Sequence, residues 1–257
     1  MKNKNLKKLL KNKSLTIGSW ITIGHPTVVE ILSNAGFDWL TIDMEHNSID
    51  PSMMQTLIST IQSKDIAALV RVSKNEEVPI KHALDAGADG IIVPMINNEN
   101  KAKKAVEYAK YPPKGRRGVG LSRAQNYGAS FNDYKEWVNE NLVVIAQIEH
   151  IDGVNNLDKI ISTKGIDAII VGPYDLSGSL GFPGEFDRQE VEEALMKVEE
   201  ICLKENFSLG YHVVAPDVKL VNSRIQKGYN FIAFSTDFYF MSENAKGCLK
   251  KIKHDRS

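Results

Sequence analysis

Short apolar segments alternate with longer amphipathic segments along most of the chain. The apolar segments are rich in β-branched residues and predict eight strands, at 17–21, 39–43, 67–72, 90–95, 142–149, 168–172, 209–214 and 231–235. The amphipathic segments predict eight helices, near 27–35, 52–63, 77–86, 99–109, 151–162, 188–205, 217–227 and 238–252. An Ala-Gly or Lys-Gly pair before several strands is typical of a helix end.

Eight strands that alternate with eight helices predict parallel pairing through right-handed crossovers. The strands are apolar almost throughout, which is expected when both faces of a parallel sheet are covered. About 250 residues in eight such units is the usual size of an α/β (β/α)8 TIM barrel. A doubly wound open sheet is the alternative, but no G-x-G-x-x-G follows the first strand. We therefore expect a barrel.

Two segments stand outside the repeating pattern. The lysine-rich start places Leu6, Leu9 and Leu10 at helical spacing and predicts a short amphipathic helix packed on the domain, with no signal peptide. Residues 111–140 show little periodicity and predict a long loop, a feature that is often functional in compact domains. No change of composition marks a linker, so we expect a single domain over 1–257.

Charge and cysteine content narrow the class of protein. Lys plus Arg and Asp plus Glu both number 32, so no net field attracts nucleic acid or an anionic membrane, and we expect neither partner. Cys202 and Cys248 are the only cysteines and are far apart. They argue against a disulfide framework or a thiolate metal site, and they suit a reducing cytoplasm.

Ionisable and polar side chains finish several of the apolar strands. Since active sites of such barrels lie at the carboxyl ends of the strands, we expect these side chains to meet at one rim. They are Asp43, Glu45 and His46 on strand 2, Arg71 on strand 3, Gln147 and Glu149 on strand 5, Gly172, Pro173, Tyr174 and Asp175 after strand 6, and His212 on strand 7.

Each of these residues also has a structural interpretation when taken alone. His46 is then a hydrogen-bonded structural histidine, and Arg71 a salt bridge at the rim. Glu149 could cap the helix that starts near Ile151, and Asp175 could be the N-cap of the short segment that follows it. The joint pattern favours a site, because two acids, a histidine and an arginine arrive from separate strands at the same end.

The residue types indicate a divalent metal and enolate chemistry. Two carboxylates beside the Gln147 amide are hard oxygen donors that suit Mg²⁺ or Mn²⁺, while Co²⁺ or Zn²⁺ would also be accepted. A nearby arginine can stabilise an oxyanion, and a histidine can transfer a proton near neutral pH. Together they predict enolisation of a 2-oxo acid, whose carboxylate could be held by backbone N–H groups of the segment 172–175.

An ordered set of motifs over residues 15–250 resembles the HpcH/HpaI family of class II, metal-dependent pyruvate aldolases. The motifs are AGFDWLTIDMEH, VRV, LDAGADGIIVPM, YPPKGRRGVG, AQIEH and IIVGPYDLSGSLG. The resemblance implies a barrel that cleaves a 4-hydroxy-2-oxo acid reversibly to pyruvate and an aldehyde. It also implies a homo-oligomer, a trimer or hexamer, in which the C-terminal helix at 238–252 packs on another subunit.

The same resemblance implies a role for each matched residue. Glu149 and Asp175 would bind the metal, Arg71 would stabilise the enolate, and His46 would transfer the proton. Asp85, which its spacing alone would make a solvated residue at a helix end, would support His46. Asp43 and Gln147 would line the substrate site.

Two residues bear on the substrate beyond the shared motifs, and rival functions remain. His212 stands where an apolar residue is common in the family, and it could touch the aldehyde or a second carboxylate or have a structural role. Arg123 could bind an acidic or hydroxylated tail of the aldehyde or make a contact between subunits. A Schiff-base aldolase would need a site lysine, for which Lys74 and Lys81 are poor candidates because neither ends an apolar strand. The same barrel and rim could also serve an acyl-CoA lyase related to the citrate lyase β subunit, or a protein that binds a 2-oxo acid without catalysis.

Overall fold

A computed structural model of the protein describes residues 5–254 and contains a closed barrel of eight parallel strands. Each strand pairs with its neighbour in chain order, and β8 pairs with β1, so the predicted (β/α)8 architecture is confirmed. The strands are β1 (Thr16–Ile21), β2 (Trp39–Asp43), β3 (Ala67–Arg71), β4 (Gly90–Val93), β5 (Val143–Ile148), β6 (Ala168–Val171), β7 (Leu209–Val213) and β8 (Phe231–Thr236).

Helices surround the barrel and connect successive strands. They are α1 (Leu6–Lys11), α2 (Pro26–Ser33), α3 (Pro51–Gln62), α4 (Glu77–Asp85), α5 (Glu99–Ala109), α6 (Phe131–Glu140), α7 (Ile151–Asn155), α8 (Leu157–Ile161), α9 (Pro173–Ser179), α10 (Gln189–Lys204), α11 (Val218–Gln226) and α12 (Asp237–His254). A 3-10 helix lies at Arg123–Gly128. Within residues 5–254, no helix is long and apolar enough to cross a membrane.

The apolar strands form two separate layers of core. Their outward side chains pack with the helices in the larger cluster, and their inward side chains fill the barrel. Inside the barrel, Trp39 stacks on Phe231 with 4.4 Å between ring centroids. Gly18 on the neighbouring strand makes room for this stack, since a Cβ at that position would lie 2.0 Å from the Trp39 ring. Alternating small and large residues therefore fill the interior.

Helix α1 closes the amino-terminal end of the barrel. Leu6 and Leu10 are buried and belong to the same cluster as the inward side chains of the strands. Lys7 donates a hydrogen bond of 2.9 Å to the carbonyl of Leu142, the residue before β5, and pairs with Asp167 just before β6. The predicted amphipathic helix is confirmed, and its apolar face packs against the side chains inside the barrel.

The structure differs from the expected elements in three places. Residues 131–140 of the expected long loop form α6, whose buried Tyr134 and Val138 are four residues apart, so the loop prediction is wrong there. The helix expected at 151–162 is interrupted at Asn156 and forms α7 and α8. The helix expected to follow a turn at 172–175 begins earlier, at Pro173, and forms α9 over 173–179 at the carboxyl end of β6.

Candidate active site

Arg71 and Asp43 form a bidentate ion pair at the carboxyl ends of β2 and β3. The two residues are partners in the strand register. Arg71 donates from Nε to Asp43 Oδ1 at 2.8 Å and from Nη2 to Oδ2 at 2.7 Å. Its Nη1 lies 3.3 Å from Glu45 Oε2. Because a guanidinium matches a carboxylate through two parallel hydrogen bonds, the pair fixes the Arg71 head group in the barrel mouth.

Asp43 also organises the turn that follows β2. Its carboxylate accepts a hydrogen bond of 3.0 Å from the Glu45 backbone N–H and one of 2.6 Å from Asn47 Nδ2. Asp43 is 3% exposed, so its charge depends on these donors and on Arg71. The abrupt change from apolar to charged residues after strand 2 is therefore explained by partners from the next strand and from the turn itself.

Glu149 lies at the end of β5 with more negative charge around it than positive. Its Oε1 accepts a hydrogen bond of 2.6 Å from the Met95 backbone N–H, and its Oε2 accepts one from Gln147 Nε2. Burial, together with the carboxylates of Glu45 and Asp175, raises the pKa of Glu149 to about 7, against the effect of these two donors. The N-cap of α7 is His150, so Glu149, one residue earlier, does not cap that helix.

Glu45 belongs to the same group of carboxylates. Burial raises its pKa, Arg71 lowers it, and the charges of Asp43 and Asp175 raise it. Glu45, Glu149 and Asp175 therefore act on one another electrostatically, and Arg71 is the cation beside Glu45. Such a group is stabilised by a bound cation or by uptake of a proton.

The donors around Glu149 fit a divalent metal ion. Carboxylate and amide oxygens are the ligands that Mg²⁺ and Mn²⁺ prefer, and Gln147 Oε1 is buried without a hydrogen-bond partner among the residues that the structure describes. Gly172 leaves the approach open, because a Cβ there would lie 3.1 Å from both Gln147 Nε2 and Glu149 Oε2. Over residues 5–254, no group of three or more His, Cys, Asp or Glu side chains is arranged as a metal site, so a metal here would need further ligands from substrate and water.

The segment after β6 begins α9 and points its first turn into the barrel mouth. Gly172 is the N-cap and Pro173 the first helical residue, so Asp175 lies inside the first turn and is not the N-cap. Gly172 N–H already donates to the Ile148 carbonyl at 3.1 Å, and Pro173 has no N–H. The donors this turn can offer a ligand are therefore those of Tyr174 and Asp175. The Tyr174 side chain is 47% exposed and packs edge-on against Phe186.

His212 lies against Trp20 beside Arg71. Its ring stacks on the Trp20 indole at 4.9 Å between centroids, and Arg71 Cζ lies 4.4 Å from the Trp20 ring. Burial, and to a smaller extent the Arg71 charge, lower the pKa of His212 to about 3. His212 is therefore a neutral ring at the level of Arg71.

His46 and Asp85 do not meet within the chain. The His46 side chain is 64% exposed, and its Nε2 lies 3.8 Å from Glu45 Oε2. Asp85 is the last residue of α4, which returns to the amino-terminal end of the barrel, and it pairs there with Arg117 at 2.5 Å. The expectation that Asp85 supports His46 is thus wrong within one subunit, because a helix that follows a strand ends at the opposite end of the barrel.

Arg123 is likewise at the amino-terminal end. It donates to the Ala86 carbonyl and to Gln62 Oε1, both at 2.9 Å. It therefore lies at the opposite end of its own barrel from Arg71, and its contact with the aldehyde stays a prediction.

Sequence reasoning placed Glu45 at the rim but missed it as part of the site, and it missed Trp20 altogether. The signal for Glu45 was its position two residues after Asp43, which returns it to the same face of an extended segment. Trp20 had a weaker signal, since an aromatic residue inside an apolar strand is more often core.

Because Glu149 is protonated more readily in the folded state, we expect the stability difference between the metal-free wild type and Glu149→Gln to depend on pH. Its folded-state pKa is raised, so the folded state binds more protons than the unfolded state from about pH 4.5 to 7, and metal-free stability falls as the pH rises through that window. The ionised carboxylate then costs about 3 kcal/mol above pH 7. We expect metal-free Glu149→Gln to be more stable than wild type at pH 8, with a smaller difference at pH 5.5. Urea unfolding in chelator checks this, and a difference independent of pH would contradict it.

The model of the family described as HpcH/HpaI aldolase/citrate lyase matches residues 16–243. The chain belongs to this family. The prediction of the family is confirmed, and with it the assignment to carbon–carbon lyases of the aldolase type.

Named relatives are similar over nearly the whole length. The chain is 32% identical over 249 residues to a hydroxypyruvate/pyruvate aldolase of Roseobacter denitrificans, with 96% of each chain covered. It is 34% identical over 231 residues to a 5-keto-4-deoxy-D-glucarate aldolase of Escherichia coli, with 90% of each covered. A solved HpcH/HpaI aldolase/citrate lyase family protein from Burkholderia cenocepacia superimposes with a TM-score of 0.92 at 31% identity, covering 98% of this chain and 100% of that one.

Proposed function

We propose that this protein is a metal-dependent pyruvate aldolase that cleaves a 4-hydroxy-2-oxo acid reversibly to pyruvate and an aldehyde. One observation carries the proposal: in the barrel mouth, a guanidinium fixed by two hydrogen bonds to Asp43 lies beside Glu45, whose carboxylate interacts electrostatically with those of Asp175 and Glu149. The named relatives are aldolases, and one of them carries pyruvate in its name.

Glu149 and Asp175 would hold the metal, with Gln147 beside them. The ion would be Mg²⁺ or Mn²⁺, and it would polarise the 2-oxo group of the substrate when bound. Gly172 and Pro173 would shape the substrate pocket, and the Tyr174 N–H and Asp175 N–H would be aimed at the substrate carboxylate. Asp43 would act on the substrate through the position it gives Arg71.

Cleavage moves one proton and breaks one carbon–carbon bond. His46 would take the proton of the C4 hydroxyl, and the electrons of the C3–C4 bond would pass to the pyruvate enolate as the aldehyde leaves. Arg71 would hold the enolate oxygen while its charge develops. The proton returned to C3 completes pyruvate, and condensation is the same sequence in reverse.

Pyruvate release from a panel of 4-hydroxy-2-oxo acids tests the proposal. We expect release with Mg²⁺ or Mn²⁺, loss of activity in chelator, and recovery on adding metal back. Borohydride with substrate should not inactivate the protein, because no Schiff base forms. If no member of the panel releases pyruvate with any divalent metal, the proposal fails, and cleavage of an acyl-CoA thioester included in the same panel would favour an acyl-CoA lyase.

Assembly into a trimer or hexamer is part of the proposal. Helices α2 and α12 share an apolar groove of about 420 Å³ whose lining includes Ile31, Phe240 and Met241. Ile31 is 64% exposed, Met241 is 53% exposed, and Leu249 further along α12 is 56% exposed. A neighbouring subunit would cover this face, as exposed apolar patches commonly mark interfaces.

Such an assembly would also give His46 its acidic partner. His46 is exposed and has Glu45 beside it, whereas Asp85 lies at the other end of its own barrel. We therefore propose that Asp85 of a neighbouring subunit approaches His46, so that each site draws on two chains.

Mixed assemblies of inactive variants test the shared site. His46→Ala and Asp85→Ala should each be inactive, and activity should return when the two are dissociated and reassembled together, because some sites then combine an intact His46 with an intact Asp85. A mixture of His46→Ala with Arg71→Lys is the control and should stay inactive, because both changes fall in the same half of the site. Equal recovery in the two mixtures, or none in either, would contradict the shared site.

A further inference from the structure

Trp20 lies against both Arg71 and His212, and packing orients its indole ring. The Trp20 ring is 2% exposed, and its Nε1 has no hydrogen-bond partner in the part of the chain that the structure describes. An indole without such an anchor takes its orientation from the surfaces against it. The ring that stacks on it is His212, with 22° between the planes.

The orientation of Trp20 matters because Arg71 rests on it. Two hydrogen bonds to Asp43 fix the orientation of the Arg71 guanidinium within the plane of that group. The face of Trp20, with Arg71 Cζ at 4.4 Å from the ring, restrains the guanidinium from tilting out of that plane. A tilt would move the donors away from a developing oxyanion, and such donors act only within a narrow range of distance.

His212 contributes to this stack through its ring and not through a polar contact with another side chain. Its Nε2 is buried and has no hydrogen-bond partner among the described residues. Burial, and then the charge of Arg71, keep its pKa near 3, so the ring adds no positive charge beside the guanidinium. His212 therefore contributes a neutral planar ring to the stack with Trp20.

We propose that His212 is a positioning residue that sets the tilt of Arg71 through the Trp20 indole. This inference rests on the proposed function, since it assigns His212 to the site in which Arg71 holds the enolate oxygen. It replaces the expectation that His212 binds substrate directly: the ring packs, and the acceptor nitrogen is dispensable.

Two substitutions of similar size separate these roles. His212→Phe keeps a planar neutral ring and removes both ring nitrogens, whereas His212→Gln keeps a polar side chain and removes the ring. In the metal-loaded enzyme, we expect His212→Gln to lower kcat for pyruvate release about tenfold, with Mn²⁺ affinity and substrate KM within twofold of wild type. We expect His212→Phe to keep kcat within threefold. The opposite ranking would overturn the proposal in favour of direct substrate binding by Nε2.

Fluorescence of Trp20 gives a readout that does not depend on activity. Trp20, Trp39 and Trp137 are the only tryptophans, so changing the other two to Phe leaves Trp20 as the sole reporter. Acrylamide quenching of Trp20 should rise in His212→Gln and stay at the parental value in His212→Phe. Equal quenching in both variants would overturn the stack.

The two measurements also separate this inference from the proposed function. If the wild type releases no pyruvate with any metal, the proposed function fails, and the quenching comparison alone decides whether His212 orients Trp20. If the wild type is active but both variants turn over equally, the proposed function stands and the positioning role of His212 is wrong.

Discussion

Arg71→Lys is expected to lower kcat for pyruvate release by about 10²–10³ while leaving the protein folded, because loss of one oxyanion donor has effects of that size. A lysine keeps the positive charge beside Asp43 and Glu45, so neither carboxylate is left without a cation. It cannot reproduce the two parallel hydrogen bonds to Asp43 or the flat contact with Trp20. The loss should appear in kcat, since the enolate oxygen carries its charge only along the reaction path.

Arg224→Lys is the matched control for this substitution. The Arg224 side chain is 11% exposed, the same as Arg71, and it likewise pairs with a carboxylate and lies over an aromatic ring, at 3.2 Å from Glu199 and 4.2 Å from Tyr211. Both lysine variants lose similar packing and should lose similar stability in thermal unfolding. Only Arg71→Lys should lose turnover. Equal activity in the two variants would show that Arg71 has no part in the chemistry.

Arg71→Ala should be inactive too, with a lower unfolding temperature. Removing the side chain leaves Asp43, which is 3% exposed, without its cation, and breaking a buried ion pair costs about 3–5 kcal/mol. The lysine variant is therefore the better test of chemistry.

Glu149→Gln is expected to weaken Mn²⁺ binding at least about a hundredfold and to abolish metal-dependent turnover, since even changes outside the ligand set cost about 10–100-fold. The substitution keeps the shape of the side chain and removes the charge that a divalent ion requires. Calorimetric titration with Mn²⁺ measures the affinity, and pyruvate release measures the turnover. Unchanged affinity would place the metal on other ligands.

Glu199→Gln provides a control with the opposite effect on stability. Glu199 is 9% exposed and accepts from Arg224 and Tyr229, so its charge is compensated in the folded state. Neutralising it leaves Arg224 without its partner and should destabilise the protein. Neutralising Glu149 should stabilise the metal-free protein above pH 7, because no protein cation compensates its charge as fully. Glu199→Gln should keep the wild-type affinity for Mn²⁺.

Much of the barrel could be predicted because the relevant signals are local. All eight strands were located to within a few residues, since continuous apolar runs between helix stops need little tertiary information. Helix α6 was missed although Tyr134 and Val138 have helical spacing, because the turn chemistry of 111–130 before it conceals the start of the pattern. The division between α7 and α8 depends on Asn156, whose side chain donates to the Asn97 carbonyl of another loop. Such a contact has no local signature.

The site was predicted as a set of residues but not as an arrangement. Rim residues of β2, β3 and β5 could be named because parallel strands in a barrel all end at one side. That Arg71 pairs with Asp43 could not be foreseen, since the pairing depends on the register between β2 and β3. The same topology separates Asp85 from His46, and a motif match alone conceals that separation.

The amino-acid sequence by itself determined the alternation of strands and helices and the family. It also determined which carboxylates, arginine and histidines stand at the strand ends. These follow from periodicity and residue type, which are properties of short segments. Only the tertiary structure decided that Glu149 has few positive charges near it and that Trp20 lies between the Arg71 guanidinium and the His212 ring. It also decided that α4 gives His46 no acidic partner within the chain. Those outcomes depend on burial and on distances across the barrel, and closure of the sheet sets both.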